Sequence, residues 1–306
     1  MSTAAGDSVH MTSGTEFSAP AGDVTLCIEL AGLKGGHSGI EIDKGRLNGV
    51  VGMASLLKHL EEAGIPFELA LFEGGTAGNA IPPKAKAVIV VDADTVGKVE
   101  QEVTTWLDET KQRYEGIEDA MRCTVTEEKG LPKVVSAQDR DVLIRLATEV
   151  PVGVHTMSAD KEGMVESSPN LGILKLDEGG LDALLTVRSS VAEKETGTVD
   201  LSKELAQELG LQTEVTKLAD PWPYDPNSEL TVLTKEAYQK LNGEDINVVA
   251  AHAGLECGTF KVKNPNLDMI SIGPDLKDVH TPGEVLYLDS IPKTWRLLEE
   301  ILREVG

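Results

Sequence analysis

The chain is poor in cysteine, in basic residues and in long hydrophobic runs. Its 306 residues include only three cysteines, Cys27, Cys123 and Cys257, which are odd in number and lack CxxC spacing. This pattern indicates neither a disulfide framework nor a thiolate zinc site, and it favours a reducing compartment. No apolar run approaches the roughly 18 residues of a membrane span, and the N-terminus lacks the pattern of a signal peptide. We therefore predict a cytoplasmic protein.

Basic residues are scarce relative to acidic ones. The 51 acidic residues outnumber the 28 basic residues and give a formal net charge of -23. Such an excess repels nucleic-acid phosphates and anionic membrane surfaces, so neither is expected as a partner. Solubility is the simplest reason for the acidity. Divalent cations or a salty cytoplasm would also suit it, although the many lysines weaken a strongly halophilic interpretation.

The sequence does contain enough apolar residues for a core, 41% of the chain, and enough length for two ordinary domains. Residues 1–22 show no apolar period and are predicted to be a loose lead-in. Residues 23–217 follow the order β-α-β-β-α, which then recurs in outline. This order predicts an α+β domain with an open antiparallel sheet, helices on one face and a duplicated unit.

A boundary is indicated at residues 220–229, where three prolines fall within six positions. Beyond it the pattern predicts a helix, two buried strands at 245–254 and 266–275, and a closing amphipathic helix. Apolar strands that alternate with helices are typical of a parallel α/β architecture. Residues 218–306 are therefore expected to be part of such a domain, because two or three strands are too few for a complete one.

Five motifs carry the candidate chemistry. They are GLKGGHSGI (32–40), GGTAGNAIP (74–82), LLTVRSS (184–190), AHAGLECG (251–258) and VHTPGE (279–284). In this order they resemble the aminoacyl-histidine (Xaa-His) dipeptidases, a family of co-catalytic zinc exopeptidases. The resemblance implies that residues 23–217 are the lid, or dimerisation, domain. Residues 218–306 would then be the C-terminal portion of the α/β catalytic domain that the lid interrupts.

The resemblance also implies roles for individual residues. His37 would stabilise the developing oxyanion, often across a dimer interface, and Asn79 and Arg188 would hold the carboxylate end of the substrate. Glu256 is expected to hold the free α-amino group of a dipeptide. His280 matches the C-terminal zinc ligand of the family, and a neutral imidazole suits that metal.

Each assignment has a simpler structural alternative. A lone histidine before Thr-Pro-Gly is more often a surface-turn residue than a ligand, because a metal site needs partners. A histidine in a glycine-rich turn can be a capping residue. On so acidic a chain, Arg188 could instead pair with a neighbouring carboxylate.

Most of the family's metal centre has no match in this sequence. A His-x-Asp is not found, and the family's bridging aspartate and the Glu-Glu pair that provides its general base have no counterpart in a matching motif. The complete family enzyme holds two zinc ions, so an incomplete site and little or no hydrolysis by this chain alone are expected. A homodimer through the lid is also expected.

Three alternatives remain open at this point. The chain could be the C-terminal half of a split peptidase, completed by a separate N-terminal catalytic half. It could be a non-catalytic dimerisation or peptide-binding module built on the lid. An acyl-transfer enzyme that uses Cys257, with His252 as its base, is the most remote of the three.

Overall fold

The computed structural model describes residues 5–159, 163–222, 224–249, 254–277 and 284–305. Within these ranges the strands, in chain order, are β1 (Ala5–Ser13), β2 (Phe17–Ser18), β3 (Val24–Ala31), β4 (Gly36–His37), β5 (Glu68–Gly74), β6 (Ala80–Ile81), β7 (Ala85–Val91), β8 (Arg122–Glu128), β9 (Val134–Val135), β10 (Thr156–Met157), β11 (Val165–Asp177), β12 (Gly180–Ser189), β13 (Gln212–Ala219), β14 (Leu276–Lys277) and β15 (Val285–Leu286). The α-helices are α1 (Gly49–Glu62), α2 (Val96–Arg113), α3 (Ala137–Glu149), α4 (Ala192–Glu208), α5 (Glu229–Asn242), α6 (Glu256–Lys263) and α7 (Ile291–Val305).

One large antiparallel sheet organises the structure. Its strands lie in the order β13-β1-β12-β11-β5-β7-β3-β8, and β10 pairs with β11 beside this path. Alternate residues of the strands, such as Ala87 and Ile89 of β7, are fully buried in one core with the apolar faces of α1 to α4. The helices therefore cover one face of the sheet and leave the other face more open. This confirms the predicted α+β fold with an antiparallel sheet and helices.

The two halves of the sheet share one arrangement. β3, α1, β5, β7, α2 and β8 form a β-α-β-β-α-β unit whose first strand lies between the third and the fourth. β1, α3, β11, β12, α4 and β13 repeat that order. The recurrence predicted from the sequence begins with a strand at residues 120–128 (AMRCTVTEE). That strand, β8, instead closes the first unit, because it pairs with β3 from Thr25 to Ala31.

The first strand of the second unit comes from the start of the chain, so the prediction of a loose lead-in is wrong for residues 5–13. β1 pairs with β12 along one edge and with β13 along the other. Val9 and Met11 are fully buried in the core. The small and polar residues before them, such as Gly6 and Ser8, weaken the apolar alternation that would have indicated a strand.

The C-terminal residues form a second, smaller core. Ala237 of α5 packs there against Leu297 and Ile301 of α7. The predicted buried strands at 245–254 and 266–275 are wrong for the described residues, since 245–249 and 266–275 contain no strand. A buried parallel strand needs hydrogen-bonded neighbours, and no strand of the described chain pairs with these segments. No helix among the described residues is long and apolar enough to cross a membrane.

Candidate substrate-binding site

One cavity of about 380 Å³ brings together four of the five residues predicted to serve the site. His37, Asn79, Arg188 and Glu256 line it, although they are far apart in the sequence. The other lining residues are Leu218, Ala219, Asp220, Gly254, Leu255 and Thr259. His280, the predicted metal ligand, lies outside the described residues.

His37 is held in one orientation by the turn that carries it. The backbone N–H groups of Gly39 and Ile40 donate to its Nδ1 at 3.0 and 3.2 Å. A ring nitrogen that accepts hydrogen bonds carries no proton, so the neutral ring carries its proton on Nε2. His37 lines the cavity, and the neutral form of its ring is the tautomer that donates from Nε2.

The backbone before His37 depends on Gly36. Its φ of 133° lies in the region that favours glycine, and a Cβ there would overlap the guanidinium of Arg46. That guanidinium lies 2.7 Å from Glu41 Oε1, and Glu41 Oε2 accepts the backbone N–H of His37 at 2.9 Å. The hydrogen bond from His37, with help from Arg46, holds the pKa of Glu41 below its ordinary value. An ionised Glu41 therefore fixes the turn.

Asn79 is exposed on a loop that is tied to His37 and to β11. Its carbonyl oxygen accepts the N–H of Ser38 at 2.9 Å, which joins the two predicted site residues across the β4–β6 ribbon. The buried amide of Asn170 donates to the carbonyl oxygens on both sides of Asn79, at 3.3 Å to Gly78 and 2.8 Å to Ala80. No sequence motif marked Asn170 as part of this support.

Arg188 is a buried cation without a counter-ion. Its residue is 8% exposed, and its side chain shares the open face of the sheet with Gly6, its partner on β1. Within the described residues its Nε has no hydrogen-bond partner, and no salt bridge joins its guanidinium to a carboxylate. Burial alone lowers the pKa of Arg188. The alternative in which this arginine pairs with an acidic neighbour is therefore not found.

Glu256 begins α6, a helix that was not predicted, and it is exposed rather than buried. Gly258 sets the position of this helix, because a Cβ there would overlap the carbonyl oxygen of Asp220. Gly254 approaches Ala219 in the same way. These contacts bring Glu256 and Asp220 into the wall that also contains Arg188, so the cavity holds groups of both charges.

Two further carboxylates, one half-buried and one buried, lie on the other face of the sheet. Asp7 of β1 and Glu195 of α4 each have one oxygen without a hydrogen-bond partner in the described part of the chain. Burial, followed by the charge of Asp7, raises the pKa of Glu195 from 4.5 to about 7. Burial also raises the pKa of Asp7, against the opposing effect of Lys217. Neither residue lies in one of the five sequence motifs.

Glu195 is expected to reduce stability as the pH rises from about 5 to 8. Its folded pKa lies above its unfolded pKa, so the folded state binds more protons in this window and stability falls through it. Glu195→Gln removes this loss. In urea unfolding, the free energy of unfolding of the variant relative to the wild type should therefore rise by about 2 kcal/mol between these pH values, after allowance for solvent screening. Glu204→Gln, at an exposed position of the same helix, should show no such gain.

Comparisons with known proteins agree with the five motifs. The family described as "Peptidase dimerisation domain" matches residues 28–115. The chain is 35% identical to the cytosol non-specific dipeptidase of Escherichia coli (strain K12). The alignment of 287 residues covers 94% of this chain and 59% of that protein. The crystal structure of the aminoacylhistidine dipeptidase from Vibrio alginolyticus matches with a TM-score of 0.90 and 31% identity, over 99% of this chain and 62% of that one. The chain is thus similar in sequence and in fold to the aminoacyl-histidine dipeptidases.

The resemblance to this dipeptidase family is thus confirmed. The chain spans about three fifths of the length of the relatives that it matches. What those relatives do as whole proteins therefore comes to this chain only as a proposal.

A zinc centre of the dipeptidase type needs several ligands around each ion. In the described ranges no group of three or more His, Cys, Asp or Glu side chains could hold a metal ion. The described residues therefore do not by themselves fit a dinuclear site. The single-ligand contribution of His280 stays a prediction.

Cys257 is a poor candidate for a nucleophile in this dipeptidase relative. Burial is the main cause that raises the pKa of its thiol, although a backbone hydrogen bond opposes it. The thiolate is the reactive form, so a raised pKa disfavours attack on a substrate. His252, its suggested base, lies outside the described residues.

A larger cavity of about 710 Å³ lies along α5 and contains none of the predicted site residues. Its charged side chains include Lys240 and Glu304, which form an ion pair at 3.0 Å. The lysine of this cavity is thus already paired, unlike the guanidinium of Arg188.

Proposed function

We propose that this chain is the substrate-binding part of a metallo-dipeptidase that hydrolyses dipeptides of the Xaa-His type. The observation that carries the proposal is the buried guanidinium of Arg188, which lines the cavity and forms no salt bridge with a carboxylate in the described part of the chain. A buried cation is costly unless it is paired, so an anion from outside is the natural partner. The C-terminal carboxylate of a short peptide is such an anion.

The other cavity residues fit the remaining parts of a dipeptide. Asn79 adds a neutral donor beside the arginine fork, and Glu256 offers an acceptor for the free amino group. His37, protonated on Nε2 when neutral, can donate to the oxygen on which negative charge develops in the transition state. In this proposal residues 23–217 are the lid and residues 218–306 belong to the catalytic domain.

Zinc is the proposed cofactor of the complete enzyme, in which it would supply activated water. We infer little or no hydrolysis by this chain alone. Its sequence has no match for the family's general base or for any of the family's metal ligands except His280. A separately encoded N-terminal half is the alternative source of those groups. The proposed location is the cytoplasm.

Calorimetric titration with β-alanyl-histidine tests the proposal. We expect the chain alone to bind this dipeptide. Binding of the C-terminal amide of the same dipeptide, which lacks the carboxylate, should be at least about tenfold weaker. Equal binding of acid and amide, or no binding of either, would count against it. The two-chain alternative predicts zinc-dependent hydrolysis after addition of a polypeptide equivalent to the uncovered part of the Escherichia coli relative.

A dimerisation module is a second candidate function, favoured by the match of residues 28–115 to a peptidase dimerisation domain. Sedimentation measures the oligomeric state of the chain. A homodimer that does not bind the dipeptide would support the dimerisation module as its function. A monomer that binds the dipeptide would reject it.

A further inference from the structure

Asp220 is a second acidic residue in the cavity, and it lies outside the five sequence motifs. It follows β13 directly and lines the cavity together with Arg188 and Glu256. Its side chain is 19% exposed, and its Oδ1 lies 2.5 Å from Nζ of Lys217. Asp220 is therefore held in place before any ligand arrives.

The helix that carries Glu256 is packed against the backbone of Asp220. The close approach of Gly258 to the Asp220 carbonyl fixes the distance between the two elements. Thr259, from the same turn of α6, hydrogen-bonds to the Asp220 side chain, and Lys217 is the main cause that lowers the pKa of this carboxyl. Asp220 is thus ionised and oriented by groups on both sides.

The charges of the cavity form two sets. Arg188 needs an anion, whereas Asp220 and Glu256 are acceptors without a fixed cation between them. Lys217 pairs with Asp220 from a side chain that is 58% exposed, and such surface pairs contribute little. An ammonium group has three donors and can use both carboxylates at once.

We propose that Asp220, together with Glu256, binds the free terminal ammonium group of the dipeptide and so restricts the cavity to peptides with an unblocked amino terminus. The inference rests on the proposed function. It adds a specificity-determining residue, because Arg188 alone would accept any carboxylate of suitable size.

The test compares β-alanyl-histidine with propanoyl-histidine, in which a hydrogen replaces the ammonium group. The wild-type chain is expected to bind the ammonium compound about tenfold or more tightly in calorimetric titration. Asp220→Asn should reduce that ratio about tenfold and leave binding of propanoyl-histidine unchanged. The substitution keeps the size of the side chain and an oxygen for the hydrogen bond with Thr259.

Lys217→Met is the matched control, because it removes the ion pair but keeps the carboxylate. We expect this variant to retain the wild-type preference. An equal loss of preference in both variants would make Asp220 a structural ion-pair residue and overturn the inference, as would an unchanged preference in Asp220→Asn. Equal wild-type binding of the two compounds would also overturn it but leave the carboxylate clamp standing. Binding of neither compound would remove the proposed function as well.

Discussion

Replacing Arg188 by methionine is expected to weaken binding of β-alanyl-histidine about a hundredfold and at the same time to stabilise the fold. The loss of binding follows from removal of a charge-assisted, forked hydrogen bond to the substrate carboxylate, worth about 3 kcal/mol. The gain in stability follows because this cation is buried without an ion-pair partner among the described residues. Loss of a buried, unpaired charge should raise the free energy of unfolding by about 1 to 2 kcal/mol.

Arg140→Met is the matched control for the stability effect. The Arg140 guanidinium lies 3.0 Å from Glu61 and donates to the carbonyl oxygen of Phe67 at 2.7 Å. It also stacks 4.9 Å above the centroid of the Phe67 ring. Here the same substitution leaves Glu61 without its cation, so we expect a loss of about 1 to 3 kcal/mol. Dipeptide binding should be unchanged, because Arg140 does not line the cavity.

Urea unfolding and calorimetry of the two variants separate a binding role from a structural one. If Arg188→Met were destabilised like Arg140→Met, the arginine would be a structural residue. If it were stabilised but bound the dipeptide as tightly as the wild type, the carboxylate clamp would be wrong. Only opposite changes in stability and affinity agree with the proposal.

The family resemblance suggested the candidate residues, and the fold shows which of them lie together. His37, Asn79, Arg188 and Glu256 were chosen from a family resemblance, and all four line one cavity. Nothing in the local sequence could show that Arg188 would lack a counter-ion, because that depends on which strands flank it. Its neighbour across the sheet is Gly6, from a segment predicted to be loose.

Long-range packing also explains the misplaced elements. The pairing of β1 with β12 and β13 joins residues about two hundred positions apart, and no local period records it. In the C-terminal region the opposite error occurred. Apolar residues such as Ile246 and Ile270 indicated strands, but in this chain they pack around the small core of α5 and α7 without strand partners. An apolar run specifies burial better than it specifies hydrogen-bonded pairing.

The second large effect is expected at Gly75, which begins the loop that carries Asn79. Its φ is 77°, and a Cβ would overlap the carbonyl oxygen of Gly172 in β11. Gly75→Ala therefore combines a strained backbone with a backbone collision, and neither partner can move as a flexible side chain would. We expect a loss of about 3 to 4 kcal/mol in urea unfolding and weaker binding of the dipeptide as the Asn79 loop shifts.

Gly64→Ala separates the collision from the strain. Gly64 has nearly the same φ, 71°, but apart from its chain neighbours no atom of the described residues lies within 4 Å of the position that its Cβ would take. Its replacement should cost only about 1 kcal/mol and leave dipeptide binding unchanged. The difference between the two variants measures the contact between the Asn79 loop and β11. Equal losses in both would mean that this contact does not hold the loop, and that Asn79 is positioned by the Asn170 hydrogen bonds alone.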